Sequence, residues 1–237
     1  MNKTIPVVLS WSGGKDSALA LHVLRHDSRY QVMGLLTSVN GYYDRISMHG
    51  VRTSLLDAQA ENIGLPLHML RLSEHPSNEE YEQKMRAALA GFKAQGIRHV
   101  AFGDLFLEDI RQYRMSTMQK IGMECLFPLW HRPTDRLALE FIAQGFRAVL
   151  CCVDGQALDG RYAGREYDET LLRELPDGVD PCGENGEFHT FVYAGPVFRQ
   201  PIVFARGDCV FRERRFHFCD LILTETEHEH LAANAHG

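Results

Sequence analysis

The chain has 237 residues, of which 45% are hydrophobic and 24% charged, and its formal net charge at pH 7 is −6. This is the mix of a soluble folded protein with enough chain for a sizeable core, and the acidic balance speaks against a general nucleic-acid binder, which is usually basic. No apolar run approaches the ~18 residues of a membrane span, and the opening MNKTIPVVLSWSGG lacks a signal-peptide cleavage pattern, so a cytoplasmic protein without membrane contact is expected.

The first half alternates short apolar runs with helical patterns. VVLS at Val7–Ser10 reads as a buried strand, SALALHVLRH as a helix, and VMGLLTS at Val32–Ser38 as a second strand. A helix over Gly50–Gly64 and a third strand, LPLHMLRL, follow. Ser77 with Glu80 three residues on predicts a capping box, and Gly96 ends that helix as a C-cap glycine. HVAFGD is a fourth strand, Glu108–Ile121 a helix, and CLFPLW, a helix from about Thr134 and AVLCCVD continue the alternation. Such alternation predicts an α/β fold with a doubly wound parallel sheet. Its ligands belong at the carboxyl ends of the strands, which brings the Ser10–Ser17 turn and Gly103-Asp104 to one edge.

The last third changes character. Asp154–Asp168 is a polar, glycine-bearing loop, and the stretches after it alternate like antiparallel strands, so a smaller C-terminal α+β part is expected. The expected division is a nucleotide-binding domain at 1–130, a substrate-binding domain at 131–225 and a frayed polar tail at 226–237, whose His228 and His230 read as solvated residues rather than metal ligands. The six cysteines include no Cys-x-x-Cys pair, so reduced thiols are expected.

The turn between the first strand and helix carries the chemistry. Strand, glycine turn, helix is an anion-binding arrangement, because helix-initial N–H groups are unpaired and glycine lets the backbone approach an oxyanion closely. It is not a Walker A loop, since Gly14-Lys15 is followed by Asp16, and it lacks the G-x-G-x-x-G fingerprint. The string Ser12-Gly13-Gly14-Lys15-Asp16-Ser17 instead resembles the SGGxDS loop of the N-type ATP pyrophosphatases, whose fold is of the adenine nucleotide alpha hydrolase-like, HUP type. That resemblance implies an ATP site made by the turn from Ser10 through Trp11 to Ser17. Loop amides and serines hold the pyrophosphate, Lys15 neutralises it, and Asp16 helps to hold Mg²⁺. Thr37 and Gly103, with Asp104, are expected near the nucleotide at the ends of the second and fourth strands.

A second stretch narrows the family. DPCGENGEFHTFVYAGPVF at Asp180–Phe198 resembles the CGExGE(Y/F)xTF segment of the diphthine–ammonia ligases. YDRISMHGVRTSLLDAQAENIGLPL, FGDLFLEDIRQYR and FPLW fit the same family in order, over about Met1 to Phe198. The resemblance implies an ATP-dependent carboxylate–ammonia ligase that forms AMP and pyrophosphate. Phe188-His189 departs from the Tyr-Glu of eukaryotic and archaeal members and matches a bacterial branch. Bacteria lack diphthamide, so the acceptor, a small-molecule or protein carboxylate, need not be diphthine.

The implied acceptor site comprises Gly183, Glu184, Asn185, Gly186, Glu187 and Thr190, with Glu187 or His189 as proton acceptor. Arg111 and Arg114 share a helix face and are candidates to bind an anionic substrate, and His49 lies in a loop expected to touch it. Cys182 reads as a packed thiol. A tRNA-modifying ATP pyrophosphatase and a non-enzymatic adenine-nucleotide binder are the competing readings. The first lacks a basic, aromatic-interleaved patch, and the second has no need of Lys15-Asp16. A homodimer is open.

Overall fold

The computed structural model describes residues 4–46 and 49–224. The tail at 226–237, with His228 and His230, lies outside the described residues. The chain begins with β1 (Ile5–Ser10), α1 (Lys15–His26), β2 (Tyr30–Asn40), the short β3 (Arg45–Ile46), α2 (Thr53–Ile63) and β4 (Leu67–Leu72). It continues with α3 (Asn78–Ala94), β5 (His99–Ala101), α4 (Glu108–Ile121) and β6 (Glu124–Leu126). β4, β2, β1, β5 and β6 lie side by side in that order, all parallel. Because β4 occupies one edge of β2 through Asn40, β3 pairs antiparallel with Val39 and Asn40 on the other edge, beyond the end of β1.

The chain starts in the middle of this sheet, builds outward to β4, then returns to build outward through β5. The order therefore reverses between β1 and β5, which opens a crevice at their carboxyl ends. Successive residues of β1 point to opposite faces. Val7 and Leu9 pack with Leu21 of α1 and Leu55 of α2, whereas Val8 packs with Leu89 and Phe92 of α3 and Met118 of α4. Helices thus cover both faces, as the doubly wound expectation requires.

The local signals act as their chemistry dictates. The Ser77 hydroxyl accepts the Glu80 N–H and starts α3. The reciprocal half of the capping box is absent, because the Glu80 carboxylate accepts the N–H and hydroxyl of Ser73 instead. Gly96, at φ +84°, lets Ile97 N–H reach back to the Phe92 carbonyl and closes the helix. The helix expected from Gly50 begins at Thr53, because Arg45 and Arg52 form a bridge and Ile46 N–H reaches the Val51 carbonyl.

The second sheet follows α5 (Thr134–Ala143). It contains β7 (Arg147–Asp154), then, after a 3-10 turn at Gly160–Tyr162 and α6 (Glu169–Glu174), β8 (Phe188–Ala194), β9 (Phe204–Arg212) and β10 (Phe216–Leu223). Its order is β8-β7-β10-β9 and all its pairings are antiparallel. Val149, Phe191 and Val192 of this sheet share one apolar cluster with α1 and α2, so the second sheet is packed on the first unit through the helices nearest the Ser10–Ser17 turn. All six cysteines are free thiols. No helix among the described residues is long and apolar enough to cross a membrane.

Candidate functional site

At the crevice between β1 and β5, the end of β5 is pressed against the start of α1. A Cβ on Gly103 would lie 2.9 Å from the Asp16 carbonyl carbon and 3.1 Å from the Ser17 nitrogen, so only glycine fits there. Gly13 takes φ +74° and turns the chain into the helix. The helix-initial N–H groups of Asp16 and Ser17 have no backbone acceptor among the described residues and lie at the positive end of α1. The Ser17 hydroxyl donates to the Gly14 carbonyl at 2.9 Å, and Ser12 Oγ lies 3.3 Å from Ser17 Oγ.

The second sheet completes the turn. Thr190 of β8 accepts the Lys15 N–H on its hydroxyl at 3.1 Å, and Val192 N–H donates to the Gly13 carbonyl at 2.9 Å. A Cβ on Gly14 would stand 3.0 Å from the Thr190 carbonyl oxygen. Gln59 of α2 is fully buried. Its amide donates to the carbonyls of Gly13 and Val192 and accepts from Trp11 Nε1 at 2.9 Å, which ties strand, turn and second sheet together. Sequence reasoning missed Gln59. The available signal was a polar residue between Leu56, Ala60 and Ile63 on the apolar face of a helix.

A cavity of about 230 Å³ lies over the turn. From the first unit it receives Ser10, Ser12, Lys15, Asp16, Gly103 and Asp104, and also His49 and Arg114. From the second it receives Gly183, Glu184, Gly186, His189 and Thr190, on the loop before β8 and its first residues. Cys182 also lines it, with burial raising its thiol to about 12, so it is a protonated packing group at neutral pH. Phe102 and Phe188 form apolar wall that sequence reasoning did not assign. Among the expected site residues, Trp11 and Thr37 are buried in the framework, and Thr37 is paired with Met69 across β2 and β4. Arg111 lies outside the cavity lining, 4.8 Å from the Trp130 ring centroid.

The charges are arranged in opposed pairs. Lys15 Nζ donates to Asp16 Oδ2 at 2.8 Å and lies 5.8 Å from the Phe188 ring centroid. Burial works against the Lys15 charge, but Asp16 foremost, and Glu184 with it, outweigh that and raise its pKa. The Asp104 carboxylate takes two hydrogen bonds from Arg114, at 2.5 and 3.0 Å, and the guanidinium lies 4.5 Å from the Phe102 ring centroid.

Glu184 Oε1 accepts the Leu105 N–H at 2.7 Å, a second clasp between the two units. Burial foremost, with Asp16 and Asp104 nearby, lifts the Glu184 carboxyl to about 7. His189 stacks on His49 with ring centroids 4.3 Å apart and planes at 27°. Burial and the Lys15 ammonium push His189 down to about 4, and burial, His189 and Lys15 push His49 well below 6.5. Both imidazoles are therefore neutral at pH 7.

Glu187 behaves differently from its neighbour. Its Oε1 accepts the Asp180 N–H at 2.9 Å and the Asn185 amide at 3.0 Å, and it holds the 180–187 loop rather than lining the cavity. Asn185 is exposed. Gly183 and Gly186, at φ +65° and +89°, turn the backbone twice in this loop. Among the described residues no three His, Cys, Asp or Glu side chains could hold a metal ion by themselves.

A profile of the diphthamide synthase N-terminal domain matches residues 5–125, and one of the diphthamide synthase C-terminal domain matches residues 133–221. The diphthine–ammonia ligase of Rattus norvegicus is 27% identical over 228 residues, covering 84% of this chain and 82% of the relative. That of Danio rerio is 26% identical over 213 residues, covering 81% and 83%. A predicted subunit of tRNA methyltransferase from Methanocaldococcus jannaschii, a solved structure, is 18% identical, covers 60% of this chain and 77% of its own, and superposes with a TM-score of 0.39.

Proposed function

The chain belongs to the diphthamide synthase family, and from that premise we propose that it is an ATP-dependent amide ligase whose reaction takes place in the cavity between β1, β5 and the start of β8. A carboxylate oxygen of the acceptor attacks the α-phosphorus of ATP. The bond to the bridging oxygen breaks, pyrophosphate leaves, and an acyl-adenylate forms. Ammonia then attacks the acyl carbon, the bond to AMP breaks, and the amide results. The acceptor is a carboxylate that need not be diphthine.

One observation supports this reading above the others. A turn suited to phosphates and a set of proton-handling side chains from a separate sheet line one cavity, and hydrogen bonds from backbone N–H groups of the first unit to Thr190 and Glu184 of the second lock the two together. The N–H groups of Asp16 and Ser17, with the Ser12 hydroxyl, receive phosphate oxygens, and the buried Lys15 ammonium offsets the charge of the departing pyrophosphate. Glu184, with its carboxyl near 7, is poised to exchange a proton with the attacking amine at neutral pH. The neutral imidazoles of His49 and His189 accept hydrogen bonds rather than repel an ammonium-like transition state.

The donor set also fits Mg²⁺. Asp16 is a hard oxygen ligand whose side chain keeps 32% of its surface exposed. A site with one such carboxylate and no protein cage suits an ion that completes its shell with phosphate oxygens and water. Mg²⁺ held there would neutralise charge on the phosphates.

The test uses ATP, Mg²⁺, ammonium chloride and a panel of carboxylates, diphthine among them, each labelled with ¹⁸O in the carboxyl group. The expected result is AMP and pyrophosphate in equal amounts, formed only with an accepted acid, with one label transferred to AMP. Formation of ADP, absence of label from AMP, or pyrophosphate release that requires tRNA instead of an acid would overturn the reading.

A further inference from the structure

β10 is separated from β8 by β7 in the second sheet, yet its Asp220 reaches both Arg45 and Arg52, which flank His49 in sequence. The carboxylate of Asp220 is the hub. Its Oδ1 accepts from Arg45 at 2.9 Å and from Arg52 Nε at 3.0 Å, and its Oδ2 accepts from a second Arg52 nitrogen at 2.6 Å. Arg45 ends the loop on one side and Arg52 on the other, and the two residues face each other in an antiparallel bridge. One carboxylate from the second sheet therefore clasps both stems of a loop from the first.

The other nitrogen of Arg45 reaches further. It donates to the Gly50 carbonyl at 2.7 Å, next to His49. Gly50 itself is wedged against β10. It takes φ +68°, and a Cβ there would meet the Phe218 ring at 2.6 Å. Arg45 thus connects Asp220 to the backbone that sets the His49 ring in place. At the end of this chain, His49 stacks on His189 in the cavity, and its Nδ1 is buried without a hydrogen-bond partner among the described residues. A buried imidazole nitrogen left unpaired is costly unless the surrounding structure holds it there.

We propose that Asp220 is a positioning residue: through Arg45 and Arg52 it fixes the His49 backbone so that the ring stacks on His189 in the wall of the substrate cavity. The ion pairs are bidentate on the Arg52 side and half-buried, so they orient as well as attract. Asp220 does not line the cavity, and its effect on the reaction passes entirely through His49. The role in acceptor handling rests on the ligase reading, but the placement of His49 is measurable in the free protein. Failure of the one is therefore distinguishable from failure of the other.

The test follows His49 by NMR through its ring ¹³C–¹H signal, assigned by its loss in His49→Gln. The groups that face His49 are His189, Lys15 and the Thr190 backbone, and none is altered. In the unsubstituted chain the ring titrates well below 6.5. Asp220→Asn is expected to raise the midpoint by about one unit or more, toward the value of a solvated imidazole, and Asp220→Glu is expected to restore much of the depression. Arg45→Gln cuts the arm to Gly50 while leaving the Arg52–Asp220 pair, and it is expected to raise the midpoint in the same direction. It decides the question if Asp220→Asn does not fold. An unchanged His49 titration in whichever of these variants folds, even with a lowered melting temperature, would overturn the proposal, because a merely structural role moves stability and leaves the ring where it was.

Discussion

The Thr190 hydroxyl accepts the backbone N–H of Lys15 at 3.1 Å, across 175 residues of sequence. This bond gives a buried helix-initial donor its partner, so Thr190→Val, which keeps the shape and removes the acceptor, leaves that donor unsatisfied. The expected loss is about 1–3 kcal/mol of unfolding free energy in urea, and Thr190→Ser is expected to keep most of it. Equal stability of the valine variant would show that the N–H finds another acceptor.

Gly103→Ala places a methyl group 2.9 Å from the Asp16 backbone, where no flexible side chain can yield. Either β5 or the phosphate turn must move. The expected cost is about 1–3 kcal/mol of stability, together with a loss of ATP affinity measured by calorimetry. Unchanged affinity would mean that the turn is not the nucleotide site.

Asp16→Asn separates metal from phosphate binding. The N–H groups of the turn remain, so ATP affinity without Mg²⁺ is expected to hold within a few-fold. Mg²⁺-dependent AMP formation is expected to fall by about 10²-fold or more, in keeping with the several kcal/mol a metal ion supplies. Parallel losses of affinity and turnover would remove Asp16 from the metal. Asp16 also accepts from Lys15 at 2.8 Å, so the variant is compared with Lys15→Met, which is expected to lose ATP affinity as well.

Within the cavity, the Glu184 carboxyl and the two imidazoles make opposed contributions to the pH dependence of stability. Glu184 is lifted from 4.5 to about 7 by burial foremost, so between these values the folded chain holds a proton that the unfolded chain has released, and stability falls as pH rises. His189 is lowered from 6.5 to about 4 by burial foremost, so between those values the unfolded chain holds the extra proton, and stability rises with pH. His49 acts with the same sign as His189. Over pH 4.5 to 6.5 the two cancel in part. Glu184→Gln is expected to steepen the rise of stability with pH, and His189→Gln to weaken or reverse it, in urea unfolding at several pH values. Superimposable profiles of the two variants would contradict both assignments.

Much of the first unit was legible because its signals are local. The SGGKDS turn between β1 and α1 and the cap at Ser77 each act over a few residues and stand at the starts of α1 and α3, whereas the need for glycine at 103 comes from the distant Asp16 backbone. What joins the two units was not legible, since nothing near Gln59 or Thr190 in sequence announces a partner on the other sheet. Glu184 and Glu187 illustrate the limit. Both flank the same glycines, yet only Glu184 lines the cavity, and the left-handed turns at Gly183 and Gly186 decide which one does. Arg111 and Arg114 share a helix face by spacing, but Asp104 captures one and Trp130 the other.

The Gly13 carbonyl receives its hydrogen bonds from Gln59 and from Val192, the latter near the end of β8. During synthesis the first sheet emerges whole long before Val192 does, and its turn then lacks both the Thr190 acceptor and the Val192 donor. A ribosome-bound intermediate, or a fragment cut after β6, therefore carries the nucleotide-binding sequence without its finished shape. The shape of this turn is thus held in the folded chain partly by residues that are made late, Thr190 and Val192.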